Sequence, residues 1–201
     1  MIAIIDYDAG NIKSVEKAVK FLGFDCVTTR DKDVIDSADK LILPGVGAFG
    51  DAMEKLNSFG LVDVIKSNVE KNKPLLGICL GMQILFEEGD ESPGVMGLGL
   101  LGGKIKRLPE KEGFKIPHMG WNSIDINPEK SLFKGIPNNT YVYFVHSYYL
   151  DATDKSQVAA TAEYTTTIDA SVQHNNIFGC QFHPEKSGDL GLQILKNYCE
   201  G

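Results

Sequence analysis

Cysteine is scarce in this chain: Cys26, Cys79, Cys180 and Cys199 are the only four among 201 residues. No two stand in a Cys-x-x-Cys pair, and no histidine lies at zinc-finger spacing from any of them. A disulfide framework and a structural zinc site are therefore excluded as organising devices. Reduced thiols, no metal and no cofactor are expected. No apolar run approaches the length of a membrane span, and no basic region precedes the first strand, so no membrane association and a cytoplasmic location are expected. Basic residues are also few, 20 against 27 acids for a net charge of -7, whereas phosphate binding needs a concentrated basic surface. Nucleic acid is excluded as the principal partner. The densest basic stretch, Lys104 to Lys115, is diluted by Glu110 and Glu112 and reads as a solvated edge, with partner docking as the alternative. Internal repeats, low-complexity tracts and inter-domain linkers are lacking, so residues 1–201 are expected to form one domain, long enough to bury a core unaided.

What is present is an alternation of strands and helices. Ile2-Ala3-Ile4-Ile5 is a continuous apolar run, as in a parallel strand covered on both faces. From Asn11 onward Ile12, Val15, Val19 and Leu22 fall at helical spacing, with Gly23 as a stop. Phe24 to Thr29 and Lys40 to Leu43 read as further strands, and Phe49 to Asn72 as two helical segments broken near Gly60. This order predicts an α/β fold with a mostly parallel central sheet flanked by helices and right-handed crossovers. After Glu88 the pattern changes to alternating polar and apolar residues with glycine or proline punctuation, which predicts an antiparallel C-terminal extension. Its candidate strands are Leu100 to Arg107, Trp121 to Ile126, Tyr141 to Tyr149, Ala159 to Tyr164 and Ala170 to His174. Asn175-Asn176 reads as a hairpin turn leading into Ile177 to His183, and Leu190 to Cys199 as a closing helix.

The chemistry centres on Pro74 to Glu88. An apolar run ends at Cys79, with Gly77 two residues before it and Gly81 two after, and a helix is expected to follow. Gly-x-Cys-x-Gly between a buried strand and a helix is the cysteine form of the nucleophile elbow, a turn tight enough to require glycine on either side. The helix N-terminus beneath the sulfur would favour thiolate. Taken alone, Cys79 could equally be a small buried apolar residue. Pro44-Gly45-Val46-Gly47, after the third strand, is either an ordinary turn or a loop whose backbone N–H groups approach a ligand.

A cysteine that does acyl chemistry needs a proton donor, usually a histidine oriented by a third group. His183 stands in Gln181-Phe182-His183-Pro184-Glu185. If the strand continues through Glu185, its period of two puts Gln181, His183 and Glu185 on one face, and Phe178, Cys180 and Phe182 on the other. Pro184 marks the strand's end near the edge that carries Cys79. Four histidines and 27 acids in 201 residues give roughly half a His-x-acid by accident, so the motif gains its weight from the elbow. His174 borders the hairpin turn and is expected to be exposed. His118 and His146 lack an acid two residues away and read as structural or ligand-lining.

With Gly-Ile-Cys-Leu-Gly-Met-Gln at 77–83, Pro-Gly-Val-Gly at 44–47 and Phe-His-Pro-Glu at 182–185, the chain resembles the class I, triad-type glutamine amidotransferases. Within them, Asp6 to Asn11, Pro117 to Asn122 and Tyr143 to Tyr148 resemble the glutaminase subunits of imidazole glycerol phosphate synthases. The resemblance spans nearly the whole chain. It implies hydrolysis of L-glutamine by Cys79, His183 and Glu185, with Val46 and Leu80 supplying oxyanion N–H groups. It implies that Gln83 and Glu91 hold the α-carboxylate and α-amino ends of the substrate, and that Gly47 and the backbone around His146, Ser147 and Tyr148 line its pocket. It further implies a heterodimer in which ammonia passes to a TIM-barrel cyclase subunit in histidine biosynthesis, with Asn11, Trp121, Tyr143 and Lys186 on the contact surface. The Pro-Gly-Val-Gly loop can turn either a carbonyl or an N–H toward the oxyanion, so the lone chain is expected to be poorly active until a partner biases that peptide.

Three rivals have distinct signatures. The glutaminases of anthranilate or aminodeoxychorismate synthases typically carry His where this chain has Met82, and they lack the Pro-His-Met-Gly-Trp-Asn stretch. A non-catalytic regulatory subunit would not need Cys79, His183 and Glu185 together. A thiol esterase or peptidase would turn over simple esters or peptides faster than glutamine.

Overall fold

The computed structural model describes all 201 residues. Its first half alternates as the apolar runs predict. Strands β1 (Ile2–Ile5), β2 (Cys26–Thr29), β3 (Lys40–Gly45) and β4 (Leu75–Cys79) are separated by helices α1 (Ile12–Phe21), α2 (Lys32–Ser37), α3 (Phe49–Ser58) and α4 (Leu61–Glu70). Residues of β1 pack alternately into two apolar clusters, Ile2 and Ile4 into one and Ala3 and Ile5 into the other. A strand buried on both faces has no polar side, which is why its sequence shows no alternation. Gly60, at φ 62°, separates α3 from α4.

The second half begins with the single-turn α5 (Leu80–Gln83), followed by β5 (Glu88–Gly89), β6 (Gly103–Arg107), β7 (His118–Ile126), β8 (Thr140–His146) and β9 (Tyr148–Ala152). It ends with β10 (Val158–Glu163), β11 (Thr167–His174), β12 (Ile177–Cys180) and α6 (Gly188–Glu200). The main sheet runs β2-β1-β3-β4-β12-β11-β10-β7-β8, and β5, β6 and β9 form a small second sheet. Strands β2 to β12 in that order are parallel, and β11 to β8 are antiparallel. Strand β4 lies between β3 and β12, with Gly45 opposite Cys79 and Cys180 opposite Ile78. Three parallel strands thus end side by side at Cys79. No helix is long and apolar enough to cross a membrane.

Four local expectations are corrected. The helix after Cys79 is one turn long and does not reach Glu88. Ile84, Leu85 and Phe86 are all fully buried, leaving no polar face, and their carbonyls accept from the backbone N–H groups of Leu98, Leu100, Leu101 and Gly99 instead of continuing a helix. Tyr141 to Tyr149 is two strands, not one: β8 belongs to the main sheet, β9 pairs with β6, and Ser147 is where the chain changes sheet. Strand β12 stops at Cys180 and Pro184–Lys186 is a 3-10 turn, so Glu185 does not extend a strand face. His174 is the last residue of β11 and is half-buried rather than exposed.

Candidate active site

Cys79 sits at φ 55°, ψ -111°, a strained conformation for a residue with a side chain. What makes room for it is the absence of side chains around it. A Cβ on Gly81 would lie 1.7 Å from the Leu43 carbonyl oxygen, and one on Gly77 would lie 2.6 Å from the Gly81 carbonyl oxygen. The two glycines of the motif thus let strand end, turn and next segment pack backbone to backbone. The helix that follows is too short for much of a macrodipole, so the individual N–H groups at Leu80 and beyond matter more than helix length.

His183 and Glu185 are brought together by the turn at Pro184. Their side chains are essentially inaccessible, with His183 Nδ1 2.7 Å from Glu185 Oε1. Only a protonated Nδ1 can make that contact with a carboxylate, so the hydrogen bond fixes the tautomer. Burial pulls the His183 imidazolium down, but the Cys79 sulfur and the Glu185 carboxylate outweigh it, and the pKa stands at about 9. Nε2 is buried without a close hydrogen-bond partner. The main chain holds the histidine from both sides: His183 N–H donates to the Tyr143 carbonyl at 3.0 Å, and Ser187 Oγ donates to the His183 carbonyl at 2.6 Å. Ser187 Oγ in turn accepts from Tyr143 N–H at 2.9 Å.

A cavity of about 380 Å³ opens in front of the sulfur and is lined by Val46, Gly47, Cys79, Leu80, Gln83, Glu91, Pro117, Val145, His146, Ser147 and Tyr148. Every residue expected at the oxyanion or the substrate is therefore on one wall or another. Larger is a depression of about 620 Å³ around Pro128 to Asn138, but neither Cys79 nor His183 borders it. Val46 is 38% exposed, and Gly47 has φ 101°. Glu91 Oε2 is committed to Phe49 N–H at 2.7 Å, where it caps α3. Gln83 is buried, and its Nε2 donates to the Tyr148 carbonyl at 3.0 Å and to Gln181 Oε1 at 2.9 Å.

His146 lines the pocket through a hydrogen-bond chain that determines its protonation. The Tyr148 carbonyl, 2.8 Å from Nδ1, can only accept, so Nδ1 carries the proton and Nε2 accepts from His118 Nδ1 at 2.9 Å. Burial, chiefly, lowers His146 to about 3 and His118 to about 4. Both rings are neutral at physiological pH. His118 is also stacked between Tyr164 and Phe144, at centroid distances of 4.0 and 4.6 Å.

The four residues expected at a partner surface lie near the His183–Glu185 pair. Trp121 and Tyr143 face each other across β7 and β8 with ring centroids 6.2 Å apart, and Trp121 is 55% exposed. Lys186 is exposed. Asn11 has a role inside the chain as well: its Nδ2 donates to Glu185 Oε1 at 2.7 Å. Sequence reasoning missed three supporting groups. Tyr7, fully buried, donates its hydroxyl to the Pro44 carbonyl at 2.8 Å, and burial followed by the charge of Cys79 raises its pKa further above the phenolic range, so it remains a donor. Ser187 and Gln181 are the others. The signal for Gln181 was its place two residues before the histidine.

Residues 3–200 match the family described as "Glutamine amidotransferase class-I". The imidazole glycerol phosphate synthase subunit HisH of Caldanaerobacter subterraneus subsp. tengcongensis is 51% identical over 200 residues, covering 100% of this chain and 98% of that protein. The protein of the same name from Moorella thermoacetica is 50% identical over 199 residues, covering 99% and 94%. Among solved structures, a glutamine amidotransferase superposes with a TM-score of 0.77 at 19% identity, covering 98% of this chain and 99% of that one. A chain of PurLQS from Thermotoga maritima gives 0.74 at 22% identity, covering 99% and 97%. At those identities the structural matches establish the fold.

Proposed function

The chain belongs to the class I glutamine amidotransferases, and from that premise we propose that Cys79, His183 and Glu185 carry out its glutaminase reaction within one domain spanning residues 1–201. The activity is that of a glutaminase subunit of imidazole glycerol phosphate synthase. The observation that carries the assignment of residues is the buried His183–Glu185 pair behind a strained Cys79 that opens on the pocket.

Cys79 Sγ attacks the carboxamide carbon of glutamine, and the carbonyl electrons move onto oxygen. Leu80 N–H and Val46 N–H stabilise that oxyanion. His183 Nε2–H protonates the departing nitrogen, and ammonia leaves behind a γ-glutamyl thioester. Water then attacks the thioester carbon, with neutral His183 taking its proton, and glutamate and the thiolate are released. Glu185 holds the imidazole through Nδ1 and stabilises its charged form. Gln83 has both N–H groups committed, so only Oε1 remains for the substrate, an acceptor that suits the α-ammonium end and not the α-carboxylate end expected from the resemblance. Glu91 keeps one oxygen free, and Gly47, Ser147 and the backbone near His146 and Tyr148 complete the seat.

Ammonia released into water is protonated and lost, so the reading includes a cyclase subunit of TIM-barrel form docked on the face that carries Trp121, Tyr143, Lys186 and Asn11. The test is glutamate release from L-glutamine by the chain alone and with a candidate cyclase subunit, alongside Cys79→Ala. Turnover by wild type that Cys79→Ala abolishes supports the reading, and turnover that survives Cys79→Ala overturns it.

A further inference from the structure

Gln181 plays no part in the scheme above, yet it touches the reacting atom. It directly follows β12, is wholly inaccessible to solvent, and its Nε2 lies 3.8 Å from Cys79 Sγ. Its own backbone N–H donates to the Ala170 carbonyl at 2.9 Å, so its position is fixed by the sheet.

The direction of its hydrogen bonds is determined from the other end of the chain of contacts. The Tyr148 main-chain carbonyl cannot donate, so the group that meets it must be the NH2 of Gln83. The second N–H of that NH2 is directed at Gln181, which must therefore present Oε1 to it at 2.9 Å. The remaining end of the Gln181 amide, Nε2–H, then points at the sulfur. Rotating the amide by half a turn would set NH2 against NH2 on one side and carbonyl oxygen against sulfur on the other. A sequence of three obligatory steps thus leads from a backbone carbonyl in the substrate pocket to the nucleophile.

We infer that Gln181 is a further catalytic residue of the glutaminase reaction, donating a hydrogen bond to the Cys79 thiolate from an amide that Gln83 and Tyr148 hold in orientation. The inference rests on the reading of Cys79 as nucleophile. A thiolate is a strong acceptor and a thiol a weak one, so a fixed buried donor favours the ionised sulfur. The titratable groups that face the sulfur are His183 and Tyr7, with Glu185 behind His183. Gln181 differs from them in donating at every pH and in being linked to the pocket. A substrate ammonium on Gln83 Oε1 polarises that amide and strengthens its N–H donors, so seating glutamine tightens the donor at the sulfur.

The test is the pH dependence of Cys79 alkylation by iodoacetamide in the full chain, read as mass gain on the Cys79 peptide, together with glutaminase kinetics. Gln181→Met keeps the length and removes the donor. Its alkylation midpoint is expected about one pH unit above wild type, with kcat lower by roughly tenfold and KM within about twofold. Gln181→Glu keeps the acceptor for Gln83 and sets a carboxylate against the sulfur, so its midpoint is expected higher still, and it serves if the Met variant does not fold. A folded variant of either kind with an unmoved midpoint overturns the proposal. Alkylation needs no glutamine: a shifted midpoint in a chain that fails to hydrolyse glutamine supports the donor and overturns only the assigned substrate.

Discussion

Asn11 donates its amide to Glu185 Oε1 at 2.7 Å, so the carboxylate that orients His183 is itself held by the loop that follows β1. That loop is pinned in turn. Arg30 bridges Asp6 and Asp8, Lys55 Nζ donates to the Asp8 carbonyl at 3.0 Å, and a Cβ on Gly10 would meet Val46 Cγ2 at 2.7 Å. One short segment therefore touches Glu185 on one side and Val46 on the other. A partner that shifts it acts on both.

Replacing Asn11 by leucine removes a hydrogen bond to a charged acceptor, an interaction of about 1.5–3 kcal/mol. The expected result is a fall in kcat of roughly tenfold or more with the fold intact. Glutamate release and a circular dichroism melt check it. Unchanged turnover in Asn11→Leu with loss of partner binding alone would restrict Asn11 to the interface.

Gly81→Ala and Gly47→Ala should separate two uses of glycine. At position 81 the new Cβ would fall 1.7 Å from a main-chain oxygen with no room to yield, so the cost exceeds the roughly 1–3 kcal/mol of ordinary overpacking. At position 47 no atom lies within 4 Å and only φ 101° opposes alanine, a cost of roughly 1–2 kcal/mol. Urea unfolding should show Gly81→Ala severely destabilised and Gly47→Ala folded. Because residue 47 flanks the oxyanion peptide, the Gly47 variant should still lose glutaminase activity.

The pKa of His183, about 9, lies above the usual 6.5, so its charged interactions contribute fully to stability below pH 6.5 and are lost as pH rises through 9. The stability gap between wild type and His183→Gln should be widest near pH 6.5 and narrow by pH 10. Denaturant titrations across that range measure it, and a gap that does not change with pH would refute the charged pair.

The His118–His146 pair works in the opposite direction. Burial holds the two near 4 and 3, so below pH 6.5 the unfolded chain takes up protons that the folded chain refuses, and stability falls as pH drops toward 4. His118→Phe keeps a ring between Tyr164 and Phe144 and removes one of the two sites. Its stability should decline less steeply than that of wild type between pH 6.5 and 4.

The parallel half of the sheet was legible because β1, β3 and β4 are apolar on both faces, and burial on both faces leaves that mark in a sequence. The elbow was legible because its two glycines are required by backbone contact. What the sequence hid was closure between distant segments. The run after Cys79 has the composition of a helix, but its carbonyls are taken by residues 98–101, a pairing no local pattern encodes. His183 and Glu185 were correctly paired for an incomplete reason: the contact is made by a turn at Pro184, not by strand alternation. Asn11 and Tyr7 reach the site from the loop after β1 and Gln181 from the end of β12, so only the assembled sheet shows what they touch.

Trp121 offers the last test, since it is the only tryptophan in the chain. It is 55% exposed, and Met119 and Tyr141, at 62% and 61%, extend an exposed apolar face along β7 and β8. Large exposed aromatic residues next to one another mark a surface that another protein covers, and a buried tryptophan at the centre of such a contact often dominates its affinity. The same two strands hold His183, because the Tyr143 carbonyl, opposite Trp121, accepts from His183 N–H. A partner docked on Trp121 would therefore stand one backbone hydrogen bond away from the histidine. Adding the cyclase subunit should shift the Trp121 emission to the blue and protect it from acrylamide, after subtraction of the cyclase's own signal. Trp121→Ala should weaken the complex by about 2 kcal/mol or more, the usual threshold of a hot spot, while the thermal midpoint of the isolated chain stays within a few degrees of wild type. Emission that does not respond to the cyclase would place the partner on another face.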